Sequence, residues 1–189
     1  MAAPVKQCGQ CSECCRILSV AEIGLKAYEG CKFRRTVIHA AGPCCAIYAR
    51  RPHSCRTWSC GWLKSPDLPD ELRPDRCGFV IDEHMDLVVK DGKDADAAQI
   101  WVAPGHEEDW RTPLATAVIQ ALLQQQASAV LWRMKGGKAR GFALDAESGG
   151  IAFTEATPYV GENDPLNDEV ARERRLNTLI EDYRKRGKR

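Results

Sequence analysis

The chain has 189 residues, 44% of them hydrophobic and 28% charged, which are values for a globular protein. Its apolar runs, such as Ala127–Trp132, are far too short to cross a bilayer, and its first residues, Met1-Ala-Ala-Pro-Val-Lys-Gln, lack the apolar core of a secretory signal. A cytoplasmic protein with no membrane partner is therefore expected. The formal net charge of +1 hides an asymmetry: residues 1–66 carry ten Lys/Arg against three Asp/Glu, and residues 67–189 carry 17 against 23.

Nine of the ten cysteines lie between Cys8 and Cys60, beginning with Cys8-Gly-Gln-Cys11-Ser-Glu-Cys14-Cys15. In a reducing compartment such a density points to metal rather than to disulfides. The adjacent pairs Cys14-Cys15 and Cys44-Cys45 point the same way, since neighbours in sequence cannot easily bridge to each other. Residues 8–15 read as a loop wrapped around a ligand. Ser19-Val-Ala-Glu22 has the form of a capping box and predicts a helix running to a cap at Gly30, which would place Cys31 at a helix end. Pro52 predicts a turn before Cys55, and the stretch Cys55–Cys60 has room for about one helical turn. The proline-rich segment Ser65–Pro74 reads as an ordered linker, and it divides a cysteine module (1–66) from a second region (67–189).

Beyond the linker, Cys77–Asp82 and Met85–Lys90 predict a hairpin turning at His84, with Gln99–Ala103 as a third strand. Thr112-Pro113 predicts a helix start, and Leu114, Val118, Ala121 and Leu122 its apolar stripe. Ala129–Trp132, Gly141–Leu144 and Gly150–Phe153 predict further short strands. Leu176, Leu179, Ile180 and Tyr183 predict a terminal amphipathic helix, followed by a solvated basic tail. The fold class expected is α+β: a small cysteine-rich metal-bound module followed by a small antiparallel sheet with helices.

Thiolates suit zinc, iron–sulfur clusters and Cu(I). Zinc sites usually pair two short Cys-x-x-Cys knuckles, and the second knuckle is not obvious here, because four residues separate Cys55 from Cys60. Three cysteines at three-residue steps could instead hold three corners of an iron–sulfur cubane. Spacing leaves the cofactor as Zn²⁺ or an Fe–S cluster. Bound thiolates also account for the basic first third. With arginines at 16, 34, 35, 50, 51 and 56 lowering thiol pKa and balancing the centre, and no aromatic platform among them, a nucleic-acid partner is not expected.

The ordered set Cys-x-x-Cys-x-x-Cys-Cys, Cys31-Lys-Phe33, Cys45-Ala-Ile-Tyr48 and Arg51-Pro-His-Ser-Cys55-Arg-Thr-Trp-Ser-Cys60 resembles the YkgJ-like cysteine-cluster family, described as zinc- or iron-chelating. The resemblance covers about residues 8–63. It implies Cys8, Cys11, Cys14, Cys15, Cys31, Cys45, Cys55 and Cys60 as metal ligands, enough for two four-sulfur sites. Cys44 stands where that family more often has glycine and is an alternate to Cys45. His39 and His53 lie among the cysteines as substitute ligands; Cys77 reads as a packing residue, and Trp58 and Trp62 as cover over the metal loops. His84 and His106 are expected to face solvent, and no catalytic residue is identified.

Sites closed by protein ligands are structural or electron-transferring, so a non-enzymatic metalloprotein, with the second region free to bind a protein partner, is the first functional expectation. The alternative is an iron–sulfur-dependent redox or protein-modifying enzyme, since some proteins with this type of cluster are associated with methyl transfer. Metal storage or delivery through the vicinal thiols is a third reading.

Overall fold

The computed structural model describes residues 6–9, 11–35, 44–90, 93–125, 127–154 and 156–158. The terminal helix predicted over Leu176–Tyr183, the basic tail and His39 lie outside them. The α+β expectation is met. The chain forms two compact units, Met1–Glu83 with Ile100–Glu108, and His84–Gln99 with Asp109–Arg189. The proline-rich segment at 65–74 lies inside the first. No helix among the described residues is long and apolar enough to cross a membrane.

The first unit is built from short pieces: α1 (Glu13–Ile17), α2 (His53–Thr57), α3 (Gly61–Lys64) and α4 (Pro74–Cys77). None is long enough to be stable alone, so tertiary contacts must hold them. The stretch expected to be a loop at 8–15 contains α1, which carries Cys14 and Cys15. The helix expected from Ser19 to Gly30 does not form. A single 3-10 turn, Ala21–Ile23, ends at Gly24 in the left-handed region (φ 65°). The reason is that Glu22 does not reach back to its own capping box. Its carboxylate accepts from the backbone N–H groups of His53 (2.8 Å) and Ser54 (3.0 Å) and from the Ser54 hydroxyl, so it caps α2 from across the fold.

The 65–74 segment is pinned to its unit. Trp62 Nε1 donates to the Pro69 carbonyl (3.1 Å), and Lys6 Nζ donates to the carbonyls of Ser65 (2.6 Å) and Leu68 while standing over the Trp62 ring. Arg73 forks onto Asp75 (2.6 and 3.1 Å). Pro74 occupies the first turn of α4, where its missing N–H costs nothing, and Gly78 closes that helix at φ 76°. Gly78 is required twice over, since a Cβ there would lie 2.3 Å from the ring of His106. His106 is accordingly half-buried, not solvent-facing as expected.

Strand β1 (Phe79–Lys90) runs without a break through His84, so the expected hairpin turn at that residue is absent. The residues around His84, Asp82-Glu83-His84-Met85-Asp86, are poor β-formers, and it is pairing with β2 (Lys93–Val102) that carries the strand through them. Phe79, Val80 and Ile81 from β1 and Ile100 and Val102 from β2 are all at most 4% exposed and give the first unit its apolar centre.

The second unit contains α5 (Pro113–Gln124), β3 (Ala129–Arg133), β4 (Ala139–Leu144), β5 (Ile151–Thr154) and β6 (Ala156–Pro158). The sheet order is β5-β4-β3-β2-β1-β6, with β1/β6, β3/β4 and β4/β5 antiparallel. Thr112 caps α5, its hydroxyl accepting from the Ala115 N–H at 3.3 Å. The buried stripe of α5 is Ala115, Val118, Ile119 and Leu123, so the face predicted around Leu114 and Ala121 is rotated by about one residue. Val130, Leu131, Trp132 and Phe142 form the core, with Val88, Ala97 and Ala129 beside them. Buried among the strands are two polar groups: Gln99 donates to Asp86 (2.9 Å), and Arg133 lies 3.6 Å from the same carboxylate while donating to Gln99.

Candidate metal centre

All nine N-terminal cysteines, Cys8, Cys11, Cys14, Cys15, Cys31, Cys44, Cys45, Cys55 and Cys60, line one cavity of about 370 Å³ in the first unit. The eight sulfurs expected as ligands are therefore brought together, and Cys44 is with them. Cys77 does not line the cavity. It is buried, and its thiol lies 3.2 Å from the Phe79 carbonyl and 3.6 Å from that of Leu72. His53 is exposed and also absent from the walls, its backbone N–H being held by Glu22.

Backbone hydrogen bonds bring the five cysteine-bearing segments together. A turn with Cys11 N–H on the Cys8 carbonyl (2.8 Å) aims the first knuckle inward, and Gly9 supplies its positive φ (51°). Tyr28 and Gly30, both at positive φ (66° and 76°), fold the chain back so that the Cys31 N–H meets the Cys15 carbonyl at 2.7 Å. An antiparallel bridge, Arg34 with Cys45, draws in the next segment. It is flanked by Arg35 N–H on the Cys44 carbonyl (2.7 Å) and Ala46 N–H on the Phe33 carbonyl (2.8 Å). Cys44 N–H then reaches the Gly9 carbonyl (3.2 Å), and its thiol donates to the Cys11 carbonyl (2.9 Å). Cys55 rides on α2. Cys60 sits just before α3, its carbonyl accepting from Leu63 (3.0 Å) and Lys64 (3.1 Å).

All ten cysteines are free thiols. Burial pushes up the thiols of Cys8, Cys55 and Cys60 and raises Cys11 to about 12. Contact with Cys14 pushes the Cys15 thiol far up, and contact with Cys15 does the same to Cys44. Two arginines oppose this: Arg51, stacked on Tyr48 at 3.8 Å, lowers Cys8, and Arg34 lowers Cys44. Arg16, expected to share that role, is instead 2.9 Å from the buried Glu13.

The thiols also raise one another: Cys60 acts on Cys11 and on Cys77, Cys44 on Cys8, Cys15 on Cys44, Cys14 and Cys31 on Cys15, and Cys31 and Cys45 on Cys55. Among the described residues no three His, Cys, Asp or Glu side chains already stand as a ligand set for one ion. Neutral thiols have no charge to gather round, and closure on a metal requires their deprotonation. The donor chemistry nevertheless fits a soft cation: nine sulfurs, no histidine on the wall among the described residues, and apolar neighbours in Leu18, Ile23, Phe33, Ile47 and Trp62. Trp58 and Trp62 both line the cavity, Trp58 anchored by donating to Asp82 at 3.1 Å.

Sequence reasoning missed the anchoring roles of Glu22, Tyr28, Asp82 and Trp101. Trp101 comes to the cavity wall from a distant strand, 6.4 Å from Tyr28 between ring centroids. Only the capping-box carboxylate carried a signal in the sequence, and it indicated the wrong helix. The chain matches no family model, no curated protein and no solved structure.

Proposed function

We propose that this protein is a metal-binding cysteine-cluster protein whose first unit carries zinc or an iron–sulfur centre in a structural or electron-transfer role. The observation that carries the reading is the convergence of nine cysteines, from five stretches of chain, on one cavity. Thiols need no such gathering to serve as packing residues, as Cys77 illustrates. The resemblance of the Cys8–Cys60 motifs to the YkgJ-like zinc- or iron-chelating family supports the same reading. Cys8, Cys11, Cys14, Cys15, Cys31, Cys45, Cys55 and Cys60 would hold the metal, which when bound supplies either a rigid cross-link or a one-electron carrier. A reducing compartment, the cytoplasm, suits free thiols at this density. In this reading the region 67–189 is free to bind a protein partner.

Anaerobic purification followed by elemental analysis and absorption spectroscopy tests the proposal. Colourless protein with stoichiometric zinc, or brown protein with iron and acid-labile sulfide, is the expected result. Reduced, freshly purified chain that holds neither metal and takes up neither on reconstitution would overturn it.

A further inference from the structure

We propose that the edge of the second unit at β5 docks an extended acidic segment of a partner protein, which adds as a strand beside β5 and sets a carboxylate on Arg140 and an apolar side chain on Phe153. This rests on the reading that leaves residues 67–189 free for a protein partner, and it names the surface and the chemistry of the segment.

Alternation along β4 puts Arg140, Phe142 and Leu144 on one face, and the register pairs Phe142 with Phe153 and Leu144 with Ile151 of β5. Trp110 packs on Phe142, with ring centroids 5.6 Å apart, and meets Phe153 edge-on at 5.1 Å. Phe142 is thereby 1% exposed, yet Phe153 is 61% exposed and Leu144, its diagonal neighbour, 41%. Large apolar side chains left in water side by side mark a surface that is covered by something else. β5 also stands at one end of the sheet order, and among the described residues no strand pairs with its outer side. Such an edge offers a row of backbone N–H and C=O groups to an incoming strand.

Charge selects the occupant. The Arg140 guanidinium lies 4.8 Å from the centroid of the Trp110 ring and 5.4 Å from that of Phe153, and Arg111 lies 4.8 Å from the same Trp110 ring. A stacked guanidinium is already oriented, and its fork matches a carboxylate. Lys135 and Lys138 are exposed just ahead of β4, and residues 133–144 contain no Asp or Glu. Asp145, the next carboxylate along, accepts from the backbone N–H groups of Glu147 (3.2 Å) and Ser148 (2.7 Å) within its own turn. Side chains on one face of a strand recur every second residue, so the partner segment reads Asp/Glu-x-apolar. A second copy of the chain fits less well, because pairing of two β5 edges through Phe153 would turn the two Arg140 guanidinium groups toward each other. A nucleic-acid strand would meet a region where 23 Asp/Glu outnumber 17 Lys/Arg, and would leave the backbone edge of β5 unused.

The probe is a fluorescein-labelled peptide of about eight residues, Thr-Glu-Thr-Leu repeated, titrated with the full-length chain and read by anisotropy. Saturable binding with a Kd of about 100 μM or tighter is expected. N-methylation of alternate peptide amides should abolish it on the side that faces β5. Arg140→Glu and Phe153→Ser should each weaken it about tenfold, and Arg140→Glu should regain affinity for the peptide with Lys in place of Glu. No saturable binding by about 1 mM overturns the proposal, as does binding indifferent to N-methylation at either set of alternate amides. So does tighter binding of an oligothymidylate of about eight nucleotides, or self-association that Phe153→Ser abolishes. The peptide series on the wild-type chain decides the matter even if Arg140→Glu does not fold. Elemental analysis of the same samples reads the metal proposal separately, so the failure of one is distinguishable from the failure of the other.

Discussion

Cys11 and Cys77 are both buried, each with a thiol raised to about 12 by burial, yet only Cys11 faces the cavity. Their environments differ in what surrounds the sulfur, not in how much water reaches it. Replacement of Cys11 by Ser puts a hard, poorly ionised oxygen at a site selecting soft thiolate, and metal content should fall by at least about one ion per chain. Cys77→Ser should keep its metal and cost about 1 kcal/mol, because a hydroxyl can still donate to the Phe79 carbonyl but is less at home among apolar neighbours. Elemental analysis of the two purified variants, with their denaturation midpoints, checks both statements. Equal metal loss would extend the ligand set to Cys77.

Among the elements, α2 depends on a partner outside itself. Five residues cannot sustain a helix, and the Glu22 carboxylate supplies the missing acceptor for two of its N-terminal N–H groups. Glu22→Ala should loosen α2 and with it the position of Cys55, while Glu22→Gln should retain part of the cap. Hydrogen exchange at Ser54 and the rate of metal loss to a chelator report this, and an unchanged exchange rate in the Ala variant would contradict it. In the sheet, Asp86→Ala leaves Gln99 and Arg133 without their shared buried acceptor and should cost about 3 kcal/mol in urea unfolding. These two cases mark the limit of what the chain discloses by pattern. The α5 start at Thr112, the three short strands β3–β5 and the gathering of Cys8–Cys60 were legible because local chemistry and the fold agree there. Ser19-x-x-Glu22 failed as a helix signal because a partner 31 residues onward takes the carboxylate. The unbroken course of β1 through His84 was hidden because strand pairing, which no local window contains, decides it. Cys44 was set aside on the strength of a resemblance, whereas the cavity wall includes it.

At the scale of the whole molecule, the two units differ in how they are held. Of the described residues between Cys8 and Cys60, only Cys11, Glu13, Ile17 and Cys60 are buried, and Ile17 is the single large aliphatic side chain among them. The second unit has Trp132, Leu131, Val130 and Phe142 at no more than 1% exposure. Metal should therefore carry the order of residues 8–60 and leave the sheet independent of it, since so small a segment has too little apolar surface to offset its own chain entropy. The raised thiols set the sign of the pH dependence. At neutral pH Cys8, Cys11, Cys15, Cys44, Cys55 and Cys60 hold protons in the metal-free chain, so metal must displace them and affinity falls as pH falls. Acidification from pH 8 to pH 6 under a fixed concentration of chelator should thus strip the metal, and protease should then cut within residues 8–60 before it attacks β3 or β4. Protection across 8–60 that is the same with and without metal, or that does not weaken toward pH 6, would show that backbone hydrogen bonds alone hold the cysteine loops.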